Sequence, residues 1–173
     1  MDIEVTDKIK LIQLTASDAF SIYNLVEQSR DELSEYLYWV KDVIDPETAK
    51  NYISQRINSG LSGASWFKIQ FNSNDCGVFA IKSICDTTGL AELGYWLSHH
   101  FYKKGIMTSI VKNLPHYLKQ NTNAKIIEFR CLEENLASIN IAQKSGAVLV
   151  NSLPNYMEIA NSNQKLNIYQ RRI

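Results

Sequence analysis

The sequence predicts an α/β (α+β) fold, built as a mixed sheet with helices packed on it. Three observations point there. Two turn clusters separate three runs of strand-forming residues in the middle of the chain, which reads as an antiparallel meander. Helical and strand periodicity then alternate through the remainder, as β-α-β-α-β. No internal repeat, low-complexity tract or Gly/Pro/Ser-rich linker divides the 173 residues, so a single domain over 1–173 is expected.

Each element has a local cause. Ile9 to Leu14 reads as a first strand. Thr15 with Asp18 three residues on is an acidic version of a capping box, and Ala19, Ile22, Tyr23 and Val26 follow at helical spacing. A short second helix carries Leu33 and Leu37. Asp45-Pro46-Glu47 is a helix start, with Ala49, Tyr52, Ile53 and Ile57 as its apolar stripe and Gly60 as its stop. Phe67, Ile69 and Phe71 alternate with polar residues; Asn72 to Asp75 form a turn; Val78 to Ile84 is the next strand. After the turn at Asp86 to Gly89, Leu90 to Leu97 is another strand. Met107, Ile110, Val111, Leu114 and Leu118 share one helical face. Pro115 removes the bond to the Val111 carbonyl, so a kink or early break is expected there. Ile126 to Cys131 is a strand, Asn135 to Lys144 a helix ended by Ser145-Gly146, and Ala147 to Val150 and Leu166 to Tyr169 are closing strands.

Composition excludes several function classes. Eighteen basic residues balance eighteen acidic ones, which argues against a general electrostatic grip on nucleic acid or on an anionic membrane. Cys76, Cys85 and Cys131 are odd in number and widely spaced, without a CxxC, so neither a disulfide framework nor a cysteine-rich zinc site is expected. The polar, acidic start MDIEVTDKIKL is no signal peptide, and no apolar run approaches the ~18 residues of a membrane span. A cytoplasmic protein with reduced thiols is the expectation.

Two segments carry chemistry. In GYWLSHHFYKKGIMTSIV, Gly94 to Val111, a strand ends near Leu97, a loop supplies two lysines and a glycine, and a helix begins. Free backbone N–H groups at a positive helix end suit a phosphate or diphosphate, and Gly105 permits close approach of an anion. The same residues also suit an ordinary solvated loop. In CLEENLASINIAQKSGA, Asn135 with Ser138 three residues on reads first as a helix N-cap, and second as a pair facing a ligand along the strand end.

The order of these stretches resembles the GNAT acyltransferase superfamily, in the ribosomal-protein-serine N-acetyltransferase (RimJ/RimL-like) branch. AELGYWLSHHFYKKGIMTSIV matches that branch's fourth strand, phosphate loop and next helix; NLAS matches its Asn-x-x-Ser segment, AQKSGA its helix end and LNIYQRR its last strand. The opening LIQLTASDAFSIYNLVEQSRDELSEYLYWV is also similar, with Arg30, Leu33 and Trp39 in familiar relation. The chain departs from the pattern at Tyr102, which takes the place of Gln or Arg, at Lys103, where the branch often has glycine, and at Ala147, in place of an aromatic.

The resemblance implies a GNAT fold: a mixed, mostly antiparallel central sheet with helices on both faces, splayed at its fourth and fifth strands. It implies acetyl-CoA as cosubstrate and no metal. The diphosphate would sit on the N–H groups of Lys103, Lys104, Gly105, Ile106, Met107 and Thr108. The pantetheine arm would run beside Tyr95, Trp96 and Leu97, held by Asn135, with a strand N–H near Trp96 or Leu97 on the thioester carbonyl. Glu92 is the first candidate base and Glu158 the second, while Ser138 would protonate the leaving thiolate. Glu92 also suits an exposed strand carboxylate, and Arg30 a helix-end cation. His99, His100 and His116 are assigned no role. The expected acceptor is a primary amine, foremost a protein N-terminal α-amine of ribosomal-protein type. A small-molecule amine or a catalytically weak acetyl-CoA-binding module are the alternatives. The expected partners exclude nucleic acid and membrane, and the expected state is a monomer or homodimer.

Overall fold

A computed structural model of the chain describes residues 2–159 and 162–173, and a single sheet forms its spine. The strands are β1 (Ile3–Glu4), β2 (Ile9–Gln13), β3 (Ser65–Phe71), β4 (Asn74–Ile84), β5 (Leu90–Leu97), β6 (Ile126–Leu132), β7 (Val148–Ile159) and β8 (Ser162–Arg172). They lie in the order β1-β2-β3-β4-β5-β6-β8-β7. Neighbours are antiparallel except β5 and β6, which are parallel. Because the short β1 comes first, the fourth and fifth strands of the sequence reading are β5 and β6. The helices are α1 (Ala19–Gln28), α2 (Arg30–Ser34), α3 (Pro46–Ile57), α4 (Ile106–Asn121) and α5 (Leu136–Lys144). No helix among the described residues is long and apolar enough to cross a membrane.

Successive strand residues point to opposite faces, and the core divides accordingly. Val78 and Trp96 face α1 and α3, where Ile22, Val26, Ala49 and Ile53 are buried. Their neighbours Phe79 and Leu93 face the other way with Ile127 and Phe129, against Ile110, Val111, Leu114 and Leu118 of α4 and Ala142 of α5. Each large side chain so enclosed contributes about 1.5–3 kcal/mol.

The expected caps are present. Thr15 and Asp18 bond reciprocally, and the Asp45 carboxylate accepts the Thr48 N–H at 2.8 Å just ahead of Pro46. Two expectations fail in extent. The early break at Pro115 does not occur: α4 runs unbroken through it, because the buried row Ile110, Val111, Leu114 and Leu118 seats the helix on both sides of the proline. The closing strands β7 and β8 are far longer than the apolar runs within them. Their polar residues, such as Asn151 and Ser152, are exposed and hide the strand pattern.

The functional consequence lies between β5 and β6. They pair only at Leu90–Ile126, Ala91–Ile127 and Glu92–Glu128. Beyond that point β5 stays with β4 as far as Leu97, and β6 stays with β8 as far as Leu132. The two strands diverge, and the sheet opens in a V.

Candidate functional site

The V presents backbone. The Ser98 N–H donates to the Cys76 carbonyl at 2.8 Å. Antiparallel alternation then turns the backbone groups of Gly94 and Trp96 toward β4, and those of Tyr95 and Leu97 toward the opening. The Trp96 side chain is also turned away: it is buried under the helices and donates from Nε1 to the Tyr52 hydroxyl at 3.1 Å. Of the three strand residues expected at a ligand, Tyr95 and Leu97 therefore offer free groups to the opening and Trp96 does not.

At the mouth of the V, the loop after β5 leads into α4. Among the described residues, the N–H groups of Lys103, Lys104, Gly105, Ile106, Met107 and Thr108 find no acceptor, and the first bonded N–H is that of Ser109, to the Gly105 carbonyl at 2.9 Å. Such a run at the positive end of a sixteen-residue helix is an anion-binding arrangement. Gly105 has φ +72°, and a Cβ added there would meet nothing within 4 Å. Lys103 also lies in the left-handed region, at φ 61°, a strain of about 1 kcal/mol for a residue with a side chain. Its side chain is exposed and does not fill the space over Gly105.

Three side chains meet along the inner wall. The Tyr95 hydroxyl is enclosed, with no partner at hydrogen-bonding geometry among the described residues. Burial pushes its ionisation above the ordinary tyrosine range, the neighbouring Cys131 adds to the rise, and Ser138 is close enough to oppose it. Burial likewise pushes the Cys131 thiol up to about 12, which favours its neutral form. Asn135 caps α5, its Oδ1 accepting the Ser138 N–H at 3.1 Å. That is the local reading of the pair; the Asn135 amide N–H groups have no acceptor among the described residues and stay available.

The carboxylates differ. Glu92 lies on the opposite face of β5 from Tyr95, bonded to Lys82, with Arg130 Nε at 3.8 Å. Arg130 in turn holds Glu128 at 2.7 Å, so Glu92 sits in an ion-pair chain and is not an exposed strand carboxylate. Glu158 is exposed on β7, opposite Asn163 and past the end of β6, with no ion pair among the described residues. Among the described residues no group of three or more His, Cys, Asp or Glu could hold a metal.

Other contacts shape the mouth. The Ser29 hydroxyl bonds Ser98 Oγ at 2.8 Å and accepts the His99 N–H at 2.9 Å, which ties the α1–α2 junction to the end of β5. The Tyr36 hydroxyl donates to the Glu134 carbonyl at 3.1 Å, joining the segment after α2 to the loop before α5. Arg30 donates to the carbonyls of Val40 and Val43, at 2.8 and 2.7 Å, and so clamps its own layer together. Cys131 was not singled out from the sequence as part of the opening; it was recoverable from parity, since it shares a face with Ile127 and Phe129.

A family model described as an acetyltransferase (GNAT) domain matches residues 8–148. The ribosomal-protein-serine acetyltransferase of Escherichia coli (strain K12) is 23% identical over 172 residues, covering 99% of this chain and 96% of that protein. Among solved structures, RimL, a ribosomal L7/L12 α-N-protein acetyltransferase in complex with coenzyme A, superposes with a TM-score of 0.92 at 22% identity, covering 100% of this chain and 98% of that one. The microcin C7 self-immunity acetyltransferase MccE, in complex with acetyl-CoA and AMP, superposes with a TM-score of 0.89 at 24% identity, covering 99% of this chain and 96% of that one. At such identities the likeness to solved structures establishes the fold.

Proposed function

The chain belongs to the GNAT acetyltransferase family and is an acyltransferase, and from that premise we propose that it moves the acetyl group of acetyl-CoA to the free α-amine of a protein N-terminus. The observation that carries this reading is the V between β5 and β6, opening beside six consecutive N–H groups without acceptors among the described residues. The coenzyme, when bound, supplies an acetyl group activated as a thioester. The residues present suit it: an open space over Gly105, an unsatisfied buried hydroxyl at Tyr95, and strand N–H groups facing the gap. In this reading the Lys103–Thr108 N–H groups bind the diphosphate, and the Asn135 amide and the Tyr95 backbone bind the arm. The Leu97 N–H stabilises negative charge on the carbonyl oxygen, and Ser138 Oγ donates a proton toward the sulfur.

The choice of acceptor follows from the carboxylates. An α-amine of pKa ~8 is about 10% neutral at pH 7, whereas a lysine amine of pKa ~10.4 is about 0.04% neutral. Glu92 is already paired with Lys82 and Arg130, so taking a proton would break that chain. Glu158 is unpaired among the described residues but solvated. We therefore put Glu158 first as proton acceptor and give Glu92 the positioning of the polar floor. A site with so modest a base suits an amine that sheds its own proton readily. The ribosomal-protein-serine acetyltransferase of Escherichia coli supports an N-terminal acceptor. The reading carries with it a cytoplasmic enzyme, active as a monomer or homodimer.

The test is calorimetry with acetyl-CoA, followed by thiol release with peptides bearing free N-termini, N-blocked peptides containing lysine, and small amines. Binding together with turnover on free N-termini alone is the expected result. Turnover confined to small amines would reassign the acceptor, and binding without turnover on any amine would make the chain a coenzyme-binding module.

A further inference from the structure

The face of the sheet turned away from α4 and α5 carries charged side chains where β5 and β6 part. Arg130 lies two residues past Glu128, the last β6 residue paired with β5, and so stands on the lip of the V. Its Nε donates to Glu128 Oε1 at 2.7 Å and lies 3.8 Å from Glu92 Oε2, so the guanidinium reaches from β6 toward β5. Glu92 in turn pairs with Lys82 on β4, and Gln170 on β8 donates to Glu128 Oε2 at 2.7 Å. The contacts run unbroken across β4, β5, β6 and β8.

Depth sorts these charges by sign. The Glu128 and Glu92 side chains are 4% and 16% exposed, whereas those of Arg130 and Lys82 are 40% and 43% exposed. Carboxylates lie beneath and cations stand above them, so a group arriving from solvent meets positive charge first. Arg130 makes its contacts through Nε. Among the described residues its two terminal amino groups, with four N–H donors, have no acceptor. A planar fork of this kind holds a carboxylate by two parallel bonds.

The facing wall is β7. Tyr156 is close enough to Arg130 to act on its charge, and Glu158, two residues on, shares the Tyr156 side of that strand. In the reading above the coenzyme enters on the side of α4 and α5, which leaves this face for the amine. An α-amine of pKa ~8 arrives mostly as an ammonium at pH 7. The outward cations repel a bare ammonium, whereas an acceptor with a carboxylate beside its amine suits both walls.

We infer that Arg130 sets acceptor specificity: its free guanidinium edge holds a carboxylate within the first three residues of the acceptor, so that the protein prefers N-termini bearing Asp or Glu there. The inference rests on the reading of a protein N-terminal α-amine as the acceptor, and narrows it to an acidic class.

The test is steady-state thiol release by the full chain with acetyl-CoA and free N-terminal peptides that differ only by Asp, Asn or Lys at position 1, 2 or 3. At one of these positions kcat/KM should be at least about tenfold higher for Asp than for Asn and lowest for Lys, mainly through KM, and added salt should narrow the gap. Arg130→Gln should bring the Asp-to-Asn ratio to about one, while calorimetric affinity for acetyl-CoA stays at the wild-type value. Arg130→Lys keeps a cation over the buried Glu128 but loses the fork, so it should fold and show a ratio several-fold below wild type. Thermal melting of both variants separates a folding defect from a lost contact. Equal wild-type turnover of Asp and Asn peptides would overturn this inference and leave the α-amine reading standing. So would a ratio unchanged in Arg130→Lys, or acetyl-CoA affinity that falls in step with turnover. Absence of turnover on every free N-terminus would overturn both.

Discussion

Asn135 does two things with one side chain, and they can be separated. Its carbonyl oxygen caps α5 by accepting the Ser138 N–H, while its amide N–H groups are the proposed contact with the coenzyme arm. Asn135→Ala should cost about 1 kcal/mol of stability and also weaken acetyl-CoA. Asn135→Asp keeps a competent cap and removes the donor, so melting should hold while calorimetric affinity falls. If Asn135→Asp binds as wild type does, the amide is not a contact. Ser138→Ala, by contrast, should leave affinity intact and lower turnover. The cap was legible in the sequence because its two residues, Asn135 and Ser138, lie only three positions apart. The neighbourhood of Tyr95, Cys131 and Ser138 was legible only in part: Tyr95 and Ser138 were named from a pattern, but their meeting with Cys131 depends on how two distant segments pair.

Among the elements, the central strands announced themselves and the last hairpin did not. β3 alternates apolar and polar residues, whereas Val78 to Ile81 of β4 form a continuous apolar run because helices cover both faces of the sheet there. β7 carries Val148, Leu149 and Val150 exposed in succession and then polar residues, so its length rests on pairing with β8, which no local pattern records. The proline in α4 misled for a related reason, since packing along Ile110 to Leu118 outweighs one lost bond. Gly77 shows how closely β4 and β5 approach. A Cβ there would lie 2.1 Å from the Trp96 carbonyl oxygen and 2.9 Å from the Leu97 Cα. Gly77→Ala must therefore push β5 aside at the edge of the opening. We expect a loss of more than about 2 kcal/mol in denaturant unfolding, together with weaker acetyl-CoA binding. An unchanged midpoint would mean that β5 yields freely.

Across the whole molecule, the helical layer is fastened to the sheet by a small polar cluster. Lys68 on β3 bonds Asp18 at 2.7 Å and Asp75 at 3.1 Å, and Ser21 on α1 donates to Asp75 at 2.6 Å. Burial works to raise the Asp18 pKa, but bonds from Lys68 and Thr15 outweigh it and hold the group below its usual value. Burial works to lower the Lys68 pKa, and its two carboxylates outweigh that and raise it. A depressed acid stabilises the fold above its unfolded pKa and ceases to do so as pH falls through its folded value; a raised base stabilises below its unfolded pKa and ceases to do so as pH rises through its folded value. Thermal melting should therefore fall below about pH 4, and again above about pH 10.5. Lys68→Met should lower melting at neutral pH and flatten both limbs; limbs as steep as those of wild type would assign the pH dependence to other groups. The opening between β5 and β6 has a further consequence at this level. A sheet rim on the outside of a protein invites strands of other molecules to add to it, which is how many proteins aggregate. Here the bare backbone of β5 lies in the middle of an eight-stranded sheet, with β6 and β8 beyond it and helices on either side. The molecule thus keeps main-chain donors for a small partner at a place where another polypeptide cannot easily add a strand.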